Sequence, residues 1–241
     1  MDTIKISKTQ TKLIAHRGLS GIECENSLPA FVAAANRSYY GIETDIHITT
    51  DGRFVILHDS KTTRVSDTEV DVENQPFEEI KDVLLKDPQK HDGDVTRRDL
   101  VLPTLEEYLC ICKKYDKIAV IEIKCDMTGC VERLLETVER CHSLDKSVFI
   151  SFGWKNVEAI KKARPEQKVQ FLCCDWKDEL LEKLIAYKID LDIYHPAVTK
   201  ELIDLLHQNG IEINAWTVDT PETAQRLIEW GIDYVTSNIL E

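Results

Sequence analysis

The chain has 241 residues, of which 43% are hydrophobic, and a net charge of −13. That is ample apolar material for one barrel-sized domain. The acidic balance, with no basic run to offset it, excludes broad binding to nucleic acid or to anionic membranes, so an anionic substrate would need a local group of cations.

The polar start of the chain has no apolar run of the kind a secretory signal carries. No stretch reaches the roughly 18 apolar residues of a membrane span. A cytoplasmic protein without a membrane span is expected, and its eight cysteines are then reduced thiols rather than a disulfide framework. No Cys or His pairs have finger-like spacing, which speaks against zinc.

From there, strand-like and helix-like segments alternate. Residues 12–18 read as a strand and 27–38 as a helix, capped by Asn26 or Ser27 with Pro29 in its first turn. Residues 41–49 form the second strand. Residues 104–115 form a helix that Thr104 caps, with Glu106 and Glu107 early, where the helix dipole favours acids. Further strands are predicted at 117–124, 147–152, 168–173, 190–194, 212–218 and 233–236. Helices are predicted at 130–141, 156–163, 178–187, 199–208 and 220–231. Eight strands in regular alternation with helices predict a (βα)8 TIM-type barrel, with a doubly wound sheet as the alternative. The whole chain, 1–241, is read as a single barrel domain. Residues 59–103 interrupt the rhythm: charged, without a clear strand and too long for a simple connection. They are read as an insertion over one end of the barrel, with a short helix at about 77–85.

Two of the strands place charge where a core would want aliphatics. Glu43 and Asp45 share one parity of the second strand, and Glu122 and Lys124 share one parity of the third. Residues two apart on a strand point to the same face. Such groups are costly to bury without compensation. A solvated face, or ion pairs with Arg17 and Lys124, would account for some of them. Three acids against two bases leave an excess that one divalent cation would fill. Carboxylate oxygens without soft ligands suit Mg²⁺ or Ca²⁺, with Mn²⁺ also allowed.

Histidines join this group from two directions. His16 ends the first strand. Asp51-Gly52 predicts a two-residue type I′ hairpin after the second strand. That turn would set Asp45 opposite His58 and His47 opposite Ile56, and opposed residues share a face. His47 and His195 are also candidates for the barrel mouth, without a nameable partner; His91, His142 and His207 read as surface residues. Trp216, near the end of a predicted strand, is either core or a pocket wall.

These segments also follow one another as a recognisable series: Ile14-Ala15-His16-Arg17-Gly18, Glu25-Asn26-Ser27-Leu28-Pro29-Ala30-Phe31, Gly41-Ile42-Glu43-Thr44-Asp45, Thr50-Asp51-Gly52 to His58-Asp59, Leu102-Pro103-Thr104-Leu105, Glu122-Ile123-Lys124, Ser151-Phe152 and Trp216-Thr217-Val218. From about Leu13 to Ser237 the chain resembles the glycerophosphodiester phosphodiesterase family. The resemblance implies a site at the C-terminal ends of the barrel strands. There Glu43, Asp45 and Glu122 would bind the divalent ion, His16 and His58 would act as acid/base pair, and Arg17 and Lys124 would hold phosphate. Departures from the pattern fall at Val235-Thr236-Ser237-Asn238 and at Thr62-Thr63-Arg64. The implied reaction is metal-dependent hydrolysis of a small-molecule glycerophosphodiester to glycerol 3-phosphate and an alcohol. Alternatives are lysophospholipase D-type cleavage of lysophospholipids with the same residues, and a non-catalytic phosphoester-binding barrel. Head-group preference, the physiological ion and the oligomeric state have no signature in the sequence.

Overall fold

The computed structural model describes residues 2–7, 10–91 and 94–241. Eight parallel strands close into a barrel: β1 (Lys12–Ala15), β2 (Gly41–Ile48), β4 (Ile118–Ile123), β5 (Ser147–Ser151), β6 (Val169–Cys173), β7 (Asp190–Tyr194), β8 (Ile213–Trp216) and β9 (Tyr234–Ser237). The β1–β2 and β1–β9 pairings close the ring. β3 (Phe54–Ile56) runs antiparallel on β2. Helices α1 (Leu28–Ala35), α3 (Leu105–Tyr115), α4 (Val131–Cys141), α5 (Trp154–Ala163), α6 (Glu179–Tyr187), α7 (Lys200–Gln208) and α8 (Pro221–Glu229) link the barrel strands, and α2 (Phe77–Ile80) lies in the insertion. This is the expected (βα)8 architecture.

Strand parity divides the core. Leu13, Ala15, Ile42, Ile46, Ala119 and Ile121 face outward into the main hydrophobic cluster under the helices. Ile14, Val120, Val148, Ile150, Leu172 and Tyr234 fill the barrel interior. Below this plug, the Tyr234 hydroxyl accepts from Lys12 and Lys168, and Glu212 pairs with Lys168. The N-terminal end of the interior is thus occupied by its own ion pairs, which are partly exposed there, so the acids further along β2 and β4 lie towards the C-terminal end.

Local chemistry sets the element ends. Ser27 caps α1 through its hydroxyl, which accepts from the Ala30 N–H, and Asn26 is freed for another task. Thr104 and Glu107 form a reciprocal capping box at α3. The hairpin departs from expectation. Its register pairs Ile46 with Ile56, His47 with Val55 and Ile48 with Phe54, one residue away from the predicted pairing. Only Gly52 of the loop has positive φ, at 82°, so the connection is a three-residue loop with one left-handed glycine; a type I′ turn needs two such residues. Apolar packing explains the choice. The observed register puts Phe54 and Ile56 with Ile46 in the main cluster, whereas the predicted one would set His47 against Ile56.

Within the insertion, α2 stops at Ile80, short of the expected 85. Beyond it the backbone is extended, because Leu85 N–H donates to the Leu100 carbonyl and Lys86 N–H to the Val65 carbonyl. Val72, Ile80, Leu85, Leu100 and Leu102 build a second cluster with Val55 and Leu57 of the hairpin strand and its exit. His142, expected at the surface, is only 8% exposed, at the C-terminus of α4.

The two ends of the described chain meet at Glu241. Its carboxylate accepts from the Thr3 hydroxyl at 2.7 Å and the Ser38 N–H at 2.7 Å, and pairs with Lys5 at 2.8 Å. Burial opposes ionisation, but these partners override it and hold the carboxyl at about 2. A depressed carboxyl stabilises the fold above its unfolded value and loses that contribution as pH falls towards 2. Glu241→Gln is expected to cost about 1–3 kcal/mol at pH 7, a difference that narrows without vanishing at pH 3, measured by urea unfolding at the two pH values.

Candidate active site

The site begins with an unusual exit from β1. Arg17 and Gly18 both have positive φ, 53° and 74°. An arginine in that region costs about 1–2 kcal/mol, and a side chain at Gly18 would lie 2.7 Å from the Ala30 backbone. The turn brings the Arg17 N–H to 2.8 Å from Glu43 Oε2 and leaves His16 at the strand tip. His-Arg-Gly is thus a backbone device as much as a set of side chains.

β2 and β4 are neighbours with Asp45 directly paired to Glu122. Carboxylate oxygens of Glu43, Asp45 and Glu122 lie within 4.8 Å of one another, all three residues buried. Lys124 Nζ stands 2.7 Å from Glu122 Oε1 and 3.5 Å from Asp45 Oδ1, and Arg17 Nε 3.4 Å from Asp45 Oδ2. Burial, Asp45 and Glu122 push the Glu43 carboxyl well above the usual range; burial and Asp45 push Glu122 up to about 7. Asp45 moves the other way: burial opposes its charge, but Arg17, Lys124 and His58 hold it below the usual carboxylate range. Glu43 Oε1 and Asp45 Oδ1 are buried without a hydrogen-bond partner among the described residues. Convergent, under-neutralised oxygens with free lone pairs fit a hard divalent cation.

His16 Nδ1 lies 2.7 Å from Asn238 Oδ1. Which face of the Asn238 amide is oxygen follows from Asp219, whose carboxylate takes the amide N–H₂ at 2.6 Å. Asn238 Oδ1 is therefore an acceptor, His16 carries its hydrogen on Nδ1, and bare Nε2 points towards Glu43, 4.0 Å away. Burial, then Arg17, lowers His16 to about 4. The ring is neutral around pH 7.

His58 Nδ1 lies 2.9 Å from Asp59 Oδ1. Burial lowers its pKa while Asp45 and Asp59 oppose the change. It lines the same cavity as His16, though not by strand pairing as expected. A continued ladder would set His58 opposite Thr44, facing with it. The last ladder bond is Leu57 N–H to the Asp45 carbonyl at 3.1 Å; β3 itself ends at Ile56. Leu57 packs into the second cluster, and the released chain presents His58 to the mouth. Asp59 continues through Arg64 and Glu25 to Arg17, linking both histidine loops.

His16, Arg17, Glu43, His58, Glu122 and Lys124 surround a cavity of about 170 Å³ at the C-terminal ends of the strands, which Trp216 also lines; Asp45 is not among its lining residues. The Trp216 ring meets Phe152 edge-on at 5.6 Å, and its Nε1 has no acceptor among the described residues. His195 does not line this cavity. Several residues escaped the sequence reading. Asp192 on β7 lines the cavity, 2% exposed, with Oδ1 lacking a hydrogen-bond partner among the described residues; the parity rule that exposes Glu43 and Asp45 applies equally to Asp190-Leu191-Asp192. Asn26 donates to Asp45 Oδ2 at 2.7 Å while accepting from the Thr44 hydroxyl. Asn26, Asn238 and Asp219 have no local sequence signal of their own.

Comparison with known proteins identifies the family. The profile of the glycerophosphoryl diester phosphodiesterase family matches residues 16–240. A Bacillus subtilis protein, YqiK, is 30% identical, over 92% of this chain and 93% of its own. A protein named glycerophosphodiester phosphodiesterase from Caldanaerobacter subterraneus subsp. tengcongensis is 29% identical, over 95% and 94%. Among solved structures, an Oleispira antarctica phosphodiesterase in complex with the product sn-glycerol-3-phosphate superposes with a TM-score of 0.86 at 23% identity, covering 95% of this chain and 93% of that one. That likeness is one of fold.

Proposed function

Since this chain belongs to the glycerophosphoryl diester phosphodiesterase family of phosphoric diester hydrolases, we propose that it hydrolyses glycerophosphodiesters to sn-glycerol 3-phosphate and an alcohol, with one divalent cation and two histidines. One observation carries the reading. Two imidazoles, each with Nδ1 against a fixed acceptor, face one small cavity that Glu43, Glu122, Arg17 and Lys124 also line, with the Asp45 carboxylate buried beside the two glutamates.

Glu43, Asp45 and Glu122 would hold the ion, Mg²⁺ or Ca²⁺ by their ligand chemistry and Mn²⁺ as a further fit. Bound there, it supplies positive charge beside the phosphoryl oxygens. Arg17 and Lys124 bind the phosphate and offset the charge that grows on it during in-line attack. His16, neutral with a bare Nε2, takes the proton of the attacking oxygen, which is that of water or of the substrate's own glycerol 2-hydroxyl. As the bond from phosphorus to the alcohol oxygen breaks, His58 delivers a proton to that oxygen. The assignment follows the partners: His58 has Asp59 to support a positive ring, whereas His16 is held by a neutral amide. Trp216 walls the substrate end of the cavity. The chain works as one barrel domain, with the insertion at about 59–103 shaping the mouth through Arg64. A cavity of 170 Å³, small beside the roughly 300–1,000 Å³ of sites for drug-sized ligands, suits a glycerol phosphate better than a lipid. The glycerol phosphate product held by the Oleispira antarctica protein supports the same choice. Among the described residues no helix is long and apolar enough to cross a membrane.

The test is release of sn-glycerol 3-phosphate from glycerophosphocholine. Turnover that EDTA abolishes and added Mg²⁺, Ca²⁺ or Mn²⁺ restores is expected. EDTA-resistant turnover removes the ion from the proposal, and binding without turnover removes the catalysis.

A further inference from the structure

A second group of metal-binding side chains lies outside the carboxylate triad. His47 of β2, Glu73 of the 3-10 turn Val72–Asn74 and Cys125, just beyond β4, bring a ring nitrogen, a carboxylate oxygen and a sulfur within 4.8 Å of one another. His47 is 3% exposed, and neither of its ring nitrogens meets water freely. Nε2 lies 3.3 Å from the His58 carbonyl oxygen and Nδ1 2.6 Å from Glu73 Oε1. A carbonyl oxygen can only accept, so Nε2 carries a hydrogen. In the neutral ring Nδ1 then turns a lone pair to a carboxylate, and a proton or a metal ion must lie between the two.

The sulfur favours the metal ion. Cys125 Sγ takes the Ile48 backbone N–H, but an imidazolium–carboxylate pair is complete without it, whereas a metal ion would take all three ligand atoms. A carbonyl holding the far ring nitrogen is also the usual support of a metal-bound histidine. Burial pushes the Cys125 thiol up to about 11, with Glu73 adding to the shift and the Ile48 backbone amide opposing it; a bound cation displaces that proton.

We propose that His47, Glu73 and Cys125 form a site for one soft divalent ion, zinc above all, distinct from the hard-cation triad. Sulfur and imidazole select zinc over Mg²⁺ or Ca²⁺, and three protein ligands leave a fourth position for water. Tetrahedral zinc needs Nδ1 and the carboxylate oxygen about 3.3 Å apart. The Glu73 side chain, 36% exposed, is free to open that gap. The ion would staple the insertion to β2 and β4, and through His47 Nε2 it would fix the backbone of His58. Ligands drawn from positions 47, 73 and 125 explain why spacing in the sequence spoke against zinc.

The test uses reduced, metal-free full-length protein titrated with Co²⁺, then with Zn²⁺. A thiolate-to-cobalt charge-transfer band is expected, displaced by Zn²⁺, lost in Cys125→Ser and kept in Glu43→Gln, because the triad contains no sulfur. In the parent protein, Zn²⁺ is also expected to shield Cys125 from alkylation, read by peptide mass spectrometry; this second measurement holds even where Cys125→Ser fails to fold. No band in the parent, an undiminished band in Cys125→Ser, loss of the band in Glu43→Gln, or a Cys125 that zinc leaves unshielded would overturn the site.

Discussion

Glu43→Gln is expected to reduce turnover by about 10²–10³-fold while leaving the ion-free protein at least as stable as its parent. The two halves of this result have one cause. Buried beside Asp45 and Glu122, the Glu43 carboxyl is pushed well above its usual range, so its charge opposes the ion-free fold at neutral pH. An amide of the same shape removes that charge and keeps an oxygen to accept the Arg17 N–H, which donates to Glu43 Oε2 at 2.8 Å. It also removes one of three ligands from the proposed cation, whose charge contributes several kcal/mol to such reactions, each 1.4 kcal/mol being about tenfold in rate. Thermal unfolding separates this effect from misfolding. A ligand present at about 100 times its dissociation constant stabilises the fold by about 2.7 kcal/mol, or about 5–10 °C for a chain of this size. The parent should show that gain with Mg²⁺ or Ca²⁺ and Glu43→Gln should not. A variant keeping both parental turnover and the thermal gain would remove Glu43 from the ligand set.

His16→Ala is expected to lower kcat by about 10²–10⁴-fold, the span of general acid–base catalysis, with the unfolding midpoint little changed. Asn238→Ala should produce a smaller fall, about tenfold, confined to kcat. It bears on the reaction through the acceptor it offers His16 Nδ1, itself oriented by Asp219. Without that acceptor the ring loses its fixed tautomer, but Arg17 and Lys124, the proposed phosphate-binding groups, are untouched, so KM should hold. Full activity in purified His16→Ala would end the acid/base assignment, and a change in KM alone for Asn238→Ala would make Asn238 a binding residue instead.

Much of the candidate site is legible in the sequence because strand parity is local. Glu43, Asp45, Glu122 and Lys124 break the apolar rule on the same face, and the structure sets Asp45 beside Glu122. The same rule, applied to Asp192, would have found it. The hairpin shows the limit. Asp51-Gly52 announces a turn but not its length, and a one-residue change moves every side chain to the other face. Packing of Phe54 and Ile56 against Ile46 chose the register. His58 reaches the site because its chain leaves the ladder, which no pairing rule anticipates.

Residue pattern by itself determined the eight strand–helix units, the acidic face at one end and the histidine at the end of the first strand, since each depends on periodicity within a few residues. Tertiary structure alone decided the tautomer of His16 through Asn238 and Asp219, the Arg17–Glu25–Arg64–Asp59 chain between the histidine loops, and the meeting of His47, Glu73 and Cys125. Those contacts join positions 5 to 222 residues apart, and their geometry exists only once the barrel has closed.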